Sequence, residues 1–360
     1  MCIKKNKMKN FFSQKIKIDK KIITNKSAPF VVAEVSANHG SSLKNIKDII
    51  DKAKKNGADA IKFQTFDLNE MTLDSDNKIF KSKNYFKINS WNNRTLYNIY
   101  KEAQFPFKLH KDAFNYAKKK KIICFSSVFD EKSLKFLEKL KTPIYKIASL
   151  ESLHFPLIKK IKKTNKPLII STGTLSLNEI KKLISFLKKI KFKKIILCHC
   201  VSEYPVESAN SNLKMIKYLK NIFDGLVGYS DHTLGVSAAI ISANYGARLI
   251  EKHFTNSKKK ISLDSTFSSD PEEFKILTSE VKRTHQFGNK LNLNIYSFNK
   301  KFRRSIIAVK DIKKDEKFTS ENIKILRPNA GIEPKYFDNL ITKKSKKLIN
   351  KGTPIKFSDF

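Results

Sequence analysis

Gly228-Tyr-Ser-Asp-His-Thr233, followed one predicted helix later by Glu251-Lys-His-Phe254, is the stretch that decides the fold. Each motif begins where a short apolar run ends, and the Ala- and Ile-rich segment 234–245 between them has the length of one crossover helix. A strand–helix–strand unit of this kind brings His232 and His253 to the same end of two neighbouring parallel strands. Two imidazoles at one rim either share a divalent cation or hydrogen-bond separately in a polar rim, and the rest of the chain decides between these.

Six earlier apolar runs repeat the same pattern, and helical segments separate them. The eight predicted strands cover 30–34, 59–64, 122–125, 144–148, 167–170, 195–199 and the two runs that end at 227 and 250. Their continuous apolar character is typical of parallel strands that helices cover. A doubly wound sheet also alternates strands and helices, but it places chemistry at one or two strand ends. Polar residues follow all eight strands here, which favours an α/β fold of the closed (β/α)₈ TIM-barrel class.

Changes in composition predict four segments. Residues 1–28 form a basic lead-in with a short hairpin, residues 29–287 form the barrel, and residues 288–302, rich in Asn, Lys and Ser, form a linker. Residues 303–360 form a small unit of short strands and one short helix. A core of fewer than about 60 residues is marginal by itself, so this unit is expected to pack against something larger.

Composition limits the classes of function. The net charge is +40, but lysines are spread over nearly every predicted helix. Specific nucleic-acid binding requires clustered basic residues or a recognition helix, so it is not predicted, although a positive field draws in anionic substrates. Four cysteines in 360 residues fit a reducing cytoplasm. No run approaches the roughly 18 apolar residues of a membrane span.

The first set of polar residues at the strand ends is cationic and hydroxylic. It consists of Lys62, Ser127, Lys146, Ser149, Ser171 and Ser230. A lysine inside an apolar strand is costly to bury unless an anion meets it, so the set predicts a phosphate or phosphoenol pocket. The alternative is that the lysines extend to solvent and the serines only cap helices.

The second set is acidic, amidic and aromatic. It consists of Glu34, Gln64, Glu151, Tyr204, Asp231, Glu251 and Asp264, together with the two histidines. These groups suit a polyhydroxylated ligand and a mixed nitrogen and oxygen site for Mn²⁺ or Mg²⁺. Cys198-His-Cys200 resembles a zinc motif, but strand alternation puts both cysteines opposite His199, which indicates core packing. A metal, an anion pocket and a carbohydrate-like lining together predict condensation of an enol phosphate with a carbonyl compound.

These motifs resemble the nonulosonic (sialic) acid synthases. The resemblance lies in Val32-Ala-Glu-Val-Ser-Ala-Asn-His39, Ile61-Lys-Phe-Gln64, Tyr145-Lys-Ile-Ala-Ser149, Ser171-Thr-Gly173 and the two histidine motifs. The terminal unit, with Arg303-Arg-Ser305 and Arg327-Pro328, resembles the antifreeze-like, or SAF, domain of that family. Within the family, Met71-Thr-Leu-Asp74, Leu96-Tyr-Asn-Ile-Tyr100 and Lys351-Gly-Thr-Pro354 look most like the pseudaminic acid synthase branch.

The resemblance implies condensation of phosphoenolpyruvate with an N-acetylated amino sugar, a 2,4-diacetamido-2,4,6-trideoxy-altrose, with release of phosphate. The alternative is a neuraminate or legionaminate synthase that uses an N-acylated mannose-type sugar. The resemblance also implies that His232 and His253 hold the metal and that Arg327 contacts the sugar in a partner subunit, within a domain-swapped homodimer. Phosphoenolpyruvate would meet Lys62, Ser127, Lys146, Ser149, Ser171, Ser202 and Ser230, whereas the open-chain sugar would meet Glu34, Gln64, Tyr204 and Asp264. Glu34 would orient or deprotonate a hydroxyl or a water.

Overall fold

The computed structural model describes residues 10–82, 94–259, 262–287 and 299–360. The chain divides into two compact units, residues 1–289 and 290–360. Most of the predicted linker 288–302 lies outside the described residues. None of the helices in the described ranges has both the length and the apolar character that a bilayer crossing demands.

The first unit consists of an antiparallel hairpin, made of the first two strands, followed by a closed barrel of eight parallel strands. Its strands are β1 (Lys15–Ile18), β2 (Lys21–Thr24), β3 (Phe30–Glu34), β4 (Ala60–Thr65), β5 (Ile123–Val128), β6 (Tyr145–Ile147), β7 (Leu168–Ser171), β8 (Ile195–Cys200), β9 (Leu226–Asp231) and β10 (Leu249–His253). Strands β3 to β10 pair in chain order, and β10 returns to β3 to close the ring. The predicted TIM barrel is therefore confirmed.

Helices cover the outside of the barrel. They are α1 (Leu43–Lys55), α2 (Leu68–Met71), α3 (Leu96–Ala103), α4 (Phe107–Lys119), α5 (Glu131–Lys139), α6 (Phe155–Lys163), α7 (Leu177–Lys189), α8 (Lys214–Ile222), α9 (Ser237–Asn244) and α10 (Pro271–Phe287). Local sequence explains their limits, as at α7, which begins with a capping box between Ser176 and Glu179. Helix α1 ends before Gly57, whose φ of 88° suits glycine.

The side chains that point into the barrel form an apolar floor at one end and a polar mouth at the other. Val32, Phe125, Ile169 and Leu249, with their neighbours, form a buried apolar cluster at the N-terminal ends of the strands. The hairpin β1–β2 adds Ile16, Ile18 and Ile23 to the same cluster. The hairpin thus closes the bottom of the barrel with apolar side chains, and the polar residues are left at the opposite end.

The second unit has its own small core. Strands β11 (Ser305–Ala308) and β12 (Ile323–Leu326) pair antiparallel, and α11 (Phe337–Leu340) follows. Within the described residues 299–360, nine buried residues form its core: Ile306, Ala308, Ile312, Phe318, Ile323, Ile332, Leu340, Ile349 and Ile355. Arg327, directly after β12, is exposed. Large apolar side chains also remain exposed on this unit, among them Leu348 and Phe357, at 62% and 59%.

Candidate active site

The C-terminal ends of the barrel strands surround a polar cavity of about 50 Å³, which is room for one or two water molecules. Its lining contains twelve of the residues predicted from the sequence: Glu34, Lys62, Gln64, Ser127, Lys146, Ser149, Ser171, Tyr204, Ser230, His232, Glu251 and His253. Ala148 and Cys200 complete the lining. Both lysines and both histidines therefore face one shared cavity.

Lys62 is the centre of a buried ion-pair network. Its ammonium lies 2.7 Å from Glu34 Oε2 and 3.4 Å from Glu251 Oε1, and it donates a hydrogen bond of 2.9 Å to Ser127 Oγ. Burial raises the pKa of the Glu34 carboxyl against the opposing effect of the Lys62 charge, and the Glu251 charge raises it further. Glu34 is therefore easier to protonate than an ordinary glutamate, as a proton acceptor requires.

Glu251 joins the second lysine to the first. Lys146 Nζ lies 3.2 Å from both Glu251 carboxylate oxygens, and the Ser230 hydroxyl donates to Oε1 at 2.8 Å. Burial by itself would raise the pKa of Glu251, but Lys146 and Lys62 hold it well below its usual range. Burial likewise opposes the charge on Lys146, and Glu251 nevertheless raises its pKa. The sequence predicted that a ligand anion would balance the charge of these lysines. In the structure, the carboxylates of Glu34 and Glu251 already balance it.

The two histidines lie side by side above this network, with ring centroids 5.3 Å apart. His232 Nδ1 contacts the Val201 carbonyl oxygen at 2.8 Å. Because a carbonyl only accepts, Nδ1 carries a proton, and Nε2 is the ring nitrogen left for another partner. His253 is buried, and its Nδ1 has no hydrogen-bond partner among the described residues. Burial and the charges of His232 and Lys62 lower the pKa of His253, so its imidazole is neutral.

The histidine pair fits a divalent metal as a partial set of ligands. His253 is neutral and can donate its lone pair. Burial lowers the pKa of His232, but Cys200 and the Val201 carbonyl raise it overall, so His232 would bind a metal only after Nε2 releases its proton. In the described part of the chain, no group of three or more His, Cys, Asp or Glu side chains is arranged to hold an ion. A metal at this position would therefore take its remaining ligands from substrate and water, as Mg²⁺ and Mn²⁺ sites commonly do.

Gln64 lines the side of the cavity next to β3, and Asp264 lies behind this side. The Gln64 amide donates to Glu34 Oε1 at 3.0 Å and to Ser36 Oγ at 2.9 Å. Asp264 Oδ2 accepts the backbone N–H of Ala37 at 3.0 Å and lies 4.0 Å from His253 Nδ1. Burial raises the pKa of Asp264, although its interactions with Ser36 and Ala37 oppose this.

Free hydroxyl groups gather on the opposite side, around Gly173. The Gly173 N–H donates to Ser149 Oγ at 3.0 Å. The Ser171 and Ser202 hydroxyls are buried and have no hydrogen-bond partner within the described residues. A side chain at position 173 would place its Cβ 2.6 Å from Ser202 Oγ and 2.9 Å from Ser149 Oγ. Only glycine permits this close approach, and the unpaired hydroxyls are available to an anion.

Five predicted residues do not line the cavity, and one of them is Asp231. Ser202 and Asp264 lie directly behind it, through the contacts with Gly173 and His253. Glu151 interacts electrostatically with Tyr100, and burial raises the pKa of its carboxyl to about 7. Arg327 belongs to the second unit.

The structure corrects two expectations, gives the predicted Glu251 a bridging role and adds one residue, Ser36. Asp231 was expected at the cavity, but it points to the outer face of β9 and pairs with Lys252 at 2.8 Å. The alternation that turns Ser230 and His232 inward explains this. Cys200 was interpreted as core packing, yet it lines the cavity beside His232. The bridging position of Glu251 and the contacts of Ser36 depend on side chains far apart in sequence, and no local pattern signals them.

Comparison with known proteins follows the same division into two units. Residues 49–291 match the NeuB family and residues 303–360 match the SAF domain. A pseudaminic acid synthase of Campylobacter jejuni is 40% identical over 92% of this chain and 96% of its own length. An N,N'-diacetyllegionaminic acid synthase of C. jejuni is 34% identical over 87% of this chain and 94% of its own length.

A solved structure agrees with these relatives. The N-acetylneuraminic acid synthetase of Leptospira borgpetersenii, crystallised with citrate, matches with a TM-score of 0.68 and 29% identity, over 80% of this chain and 96% of that one. The family match alone spans more than half of the chain, and the relatives are aligned over nearly their whole length. The chain therefore belongs to the NeuB family and is an enzyme of the nonulosonic acid synthase class.

Proposed function

We propose that this protein condenses phosphoenolpyruvate with a 2,4-diacetamido-2,4,6-trideoxyhexose of the altrose type and releases pseudaminic acid and phosphate. The observation that carries the proposal is the convergence of two buried lysines, two histidines and unpaired serine hydroxyls on one cavity. The 40% identity to a pseudaminic acid synthase, against 34% to a legionaminic acid synthase, favours the altrose-type sugar. Legionaminate or N-acetylneuraminate synthesis is the second candidate.

The phosphate of phosphoenolpyruvate would bind at the hydroxyl side of the cavity. Ser171 and Ser202 offer unpaired hydroxyls there, and Lys146 is a nearby cation whose pKa is raised, so it stays charged. Charge-assisted hydrogen bonds from such groups hold an anion strongly. The cavity of about 50 Å³ is smaller than phosphoenolpyruvate, so its mouth must widen when the substrate enters.

The sugar would bind at the side formed by Glu34, Gln64, Tyr204 and Asp264. His232 and His253 would hold a divalent ion, Mn²⁺ or Mg²⁺, which when bound polarises a carbonyl group as a Lewis acid. The ring of Tyr204 lies 4.2 Å from that of His232 and covers the metal side. The substrate would thus fit between the histidines and the carboxylates, with its reacting carbon over Lys62.

The reaction forms one carbon–carbon bond and breaks one carbon–oxygen bond. The methylene carbon of phosphoenolpyruvate attacks the aldehyde carbon, and the carbonyl π electrons move onto the aldehyde oxygen. Water adds to the resulting oxocarbenium-like carbon; Glu34 accepts one proton of that water, consistent with its raised pKa, and passes it to the aldehyde oxygen. The hydroxyl of the tetrahedral intermediate becomes the ketone as the C–O bond to phosphate breaks, and its proton leaves with the phosphate, while Lys62 and Lys146 stabilise the negative charge that develops.

We further propose that the enzyme acts as a domain-swapped homodimer in the cytoplasm. The second unit exposes Leu348, Phe357 and Arg327, and exposed apolar groups rimmed by charge mark interaction surfaces. Arg327 would then reach the sugar in the partner's cavity. Cys124, Cys198 and Cys200 are free thiols, as a reducing compartment allows.

Phosphate release tests the proposal. The purified protein is incubated with Mn²⁺, phosphoenolpyruvate and each of three sugars: the altrose-type diacetamido sugar, its legionaminate counterpart and N-acetylmannosamine. We expect the highest kcat/KM with the altrose-type sugar and no turnover in excess chelator. A preference for either other sugar would select the second candidate, and full turnover in chelator would reject the metal role.

A further inference from the structure

Ser36 has a backbone conformation that costs free energy. It lies two residues after the end of β3, is 9% exposed and has a φ of 44°, in the left-handed region. A side chain there is strained by about 1–2 kcal/mol relative to the right-handed region, whereas glycine is not. Four residues later, Gly40 meets the same requirement, with a φ of 54°.

The Ser36 hydroxyl holds the Gln64 amide. Gln64 Nε2 donates to both Ser36 Oγ and Glu34 Oε1, at 2.9 and 3.0 Å. A carboxylate only accepts, so the NH₂ end of the amide must face this way. Both amide hydrogens are thereby used, and the carbonyl oxygen of Gln64 is the group left for a ligand in the cavity.

Ser36 also contacts the carboxylate of Asp264, which lies next to His253. Its side chain interacts with Asp264, and Asp264 Oδ2 accepts the N–H of the next residue, Ala37, at 3.0 Å. Since the Ser36 oxygen accepts from Gln64, its own proton is free to be directed toward Asp264. Ser36 therefore links the amide on β4 to the carboxylate next to His253.

We propose that Ser36 is a positioning residue for the sugar: its hydroxyl fixes the Gln64 amide so that the amide oxygen faces the substrate, and it ties that amide to Asp264. This inference rests on the proposed function, because the ligand positioned is the open-chain sugar. Ser36 does not line the cavity itself, so it acts through Gln64.

Two substitutions separate the hydroxyl from the backbone strain. Ser36→Gly removes the hydroxyl and relieves the backbone strain, whereas Ser36→Ala removes the hydroxyl and leaves the backbone strain in place. We expect both to lower kcat/KM for the sugar by about tenfold to a hundredfold, because a half-buried amide hydrogen loses its partner and the amide loses its fixed orientation. The KM for phosphoenolpyruvate stays within about twofold of the native value. The melting temperature of Ser36→Gly exceeds that of Ser36→Ala by about 2–4 °C.

Ser41 provides the matched control. It also has a left-handed backbone, with a φ of 50°, but its side chain is exposed. As at position 36, Ser41→Gly is expected to have a higher melting temperature than Ser41→Ala. Both Ser41 variants are expected to keep the native kinetics for the sugar and for phosphoenolpyruvate.

Three results would overturn the inference: native sugar kinetics in Ser36→Gly, a loss of activity that follows melting temperature across the pair, or equal effects on both substrates. If the native protein releases no phosphate with any of the sugars, the proposed function itself is wrong. If the native protein is active and the Ser36 variants are equally active, only the role of Ser36 is wrong.

Discussion

Replacing Glu151 by Gln is expected to stabilise the protein more at about pH 8 than at about pH 5. Burial raises the pKa of this carboxyl from an ordinary 4.5 to about 7. Its buried Oε2 has no hydrogen-bond partner among the described residues. Ionising the carboxyl in the folded protein therefore costs free energy that ionising it in the unfolded chain does not.

The sign follows from the two pKa values. Because the folded pKa lies above the unfolded one, the group's contribution to stability is complete below about pH 4.5 and is lost as the pH rises through about 7. At 1.36 kcal/mol per pKa unit, the rise corresponds to about 3 kcal/mol. Solvent screening makes this an upper value, since the residue is partly exposed.

Urea unfolding at both pH values, for native protein and Glu151→Gln, measures the effect. Glutamine does not titrate, so the difference in unfolding free energy should grow with pH by up to about 3 kcal/mol, and any pH-independent cost of the amide cancels. Glu179→Gln is the control: hydrogen bonds from Ser176 lower the pKa of this exposed carboxyl, so its effect should be the same at both values. An effect of Glu151→Gln that does not change with pH would refute the reasoning.

Three further substitutions test the fold and the cavity. Gly173→Ala should raise the KM for phosphoenolpyruvate at least tenfold with little change for the sugar, because the new Cβ would lie 2.6 Å from a serine oxygen; equal effects on both substrates would contradict this. Glu251→Gln should lower the free energy of unfolding by about 3–5 kcal/mol, since two buried lysines lose their shared carboxylate, and a urea-measured loss below about 1 kcal/mol would refute the network. Ile18→Ala, at the barrel floor, should cost about 2–5 kcal/mol, whereas Ile22→Ala, at a 46% exposed position of the same hairpin, should cost far less; similar losses would contradict the closing role of the hairpin.

The barrel could be predicted because its signal is local and repeated. Each apolar run ends in polar residues. Alternation along the strand predicts which side chains point inward, and it correctly places Lys62 and Lys146 in the interior. The same rule applied to Asp231 would have placed it on the outer face, because its neighbours Ser230 and His232 turn inward. That error came from selecting residues by type rather than by position in the strand.

The pairing of charges in the cavity could not be predicted in the same way. Glu251 reaches Lys62 and Lys146 across the closed barrel, and such contacts depend on how closure sets the strands against one another. The contacts of Ser36 depend likewise on the loop that brings Asp264 back to β3. Sequence patterns describe the faces of single strands, whereas these contacts join residues more than 25 positions apart.

The proposed mechanism requires one cavity to hold a metal through two imidazoles and a phosphate through serine hydroxyls. Its most direct test is a crystal structure of the protein with Mn²⁺ and phosphoenolpyruvate, with the metal located by anomalous scattering. We predict one ion coordinated by both His232 and His253, and the phosphate in hydrogen-bonding contact with Ser171 beside Lys146. An ion bound elsewhere, or a phosphate outside this cavity, would contradict the account.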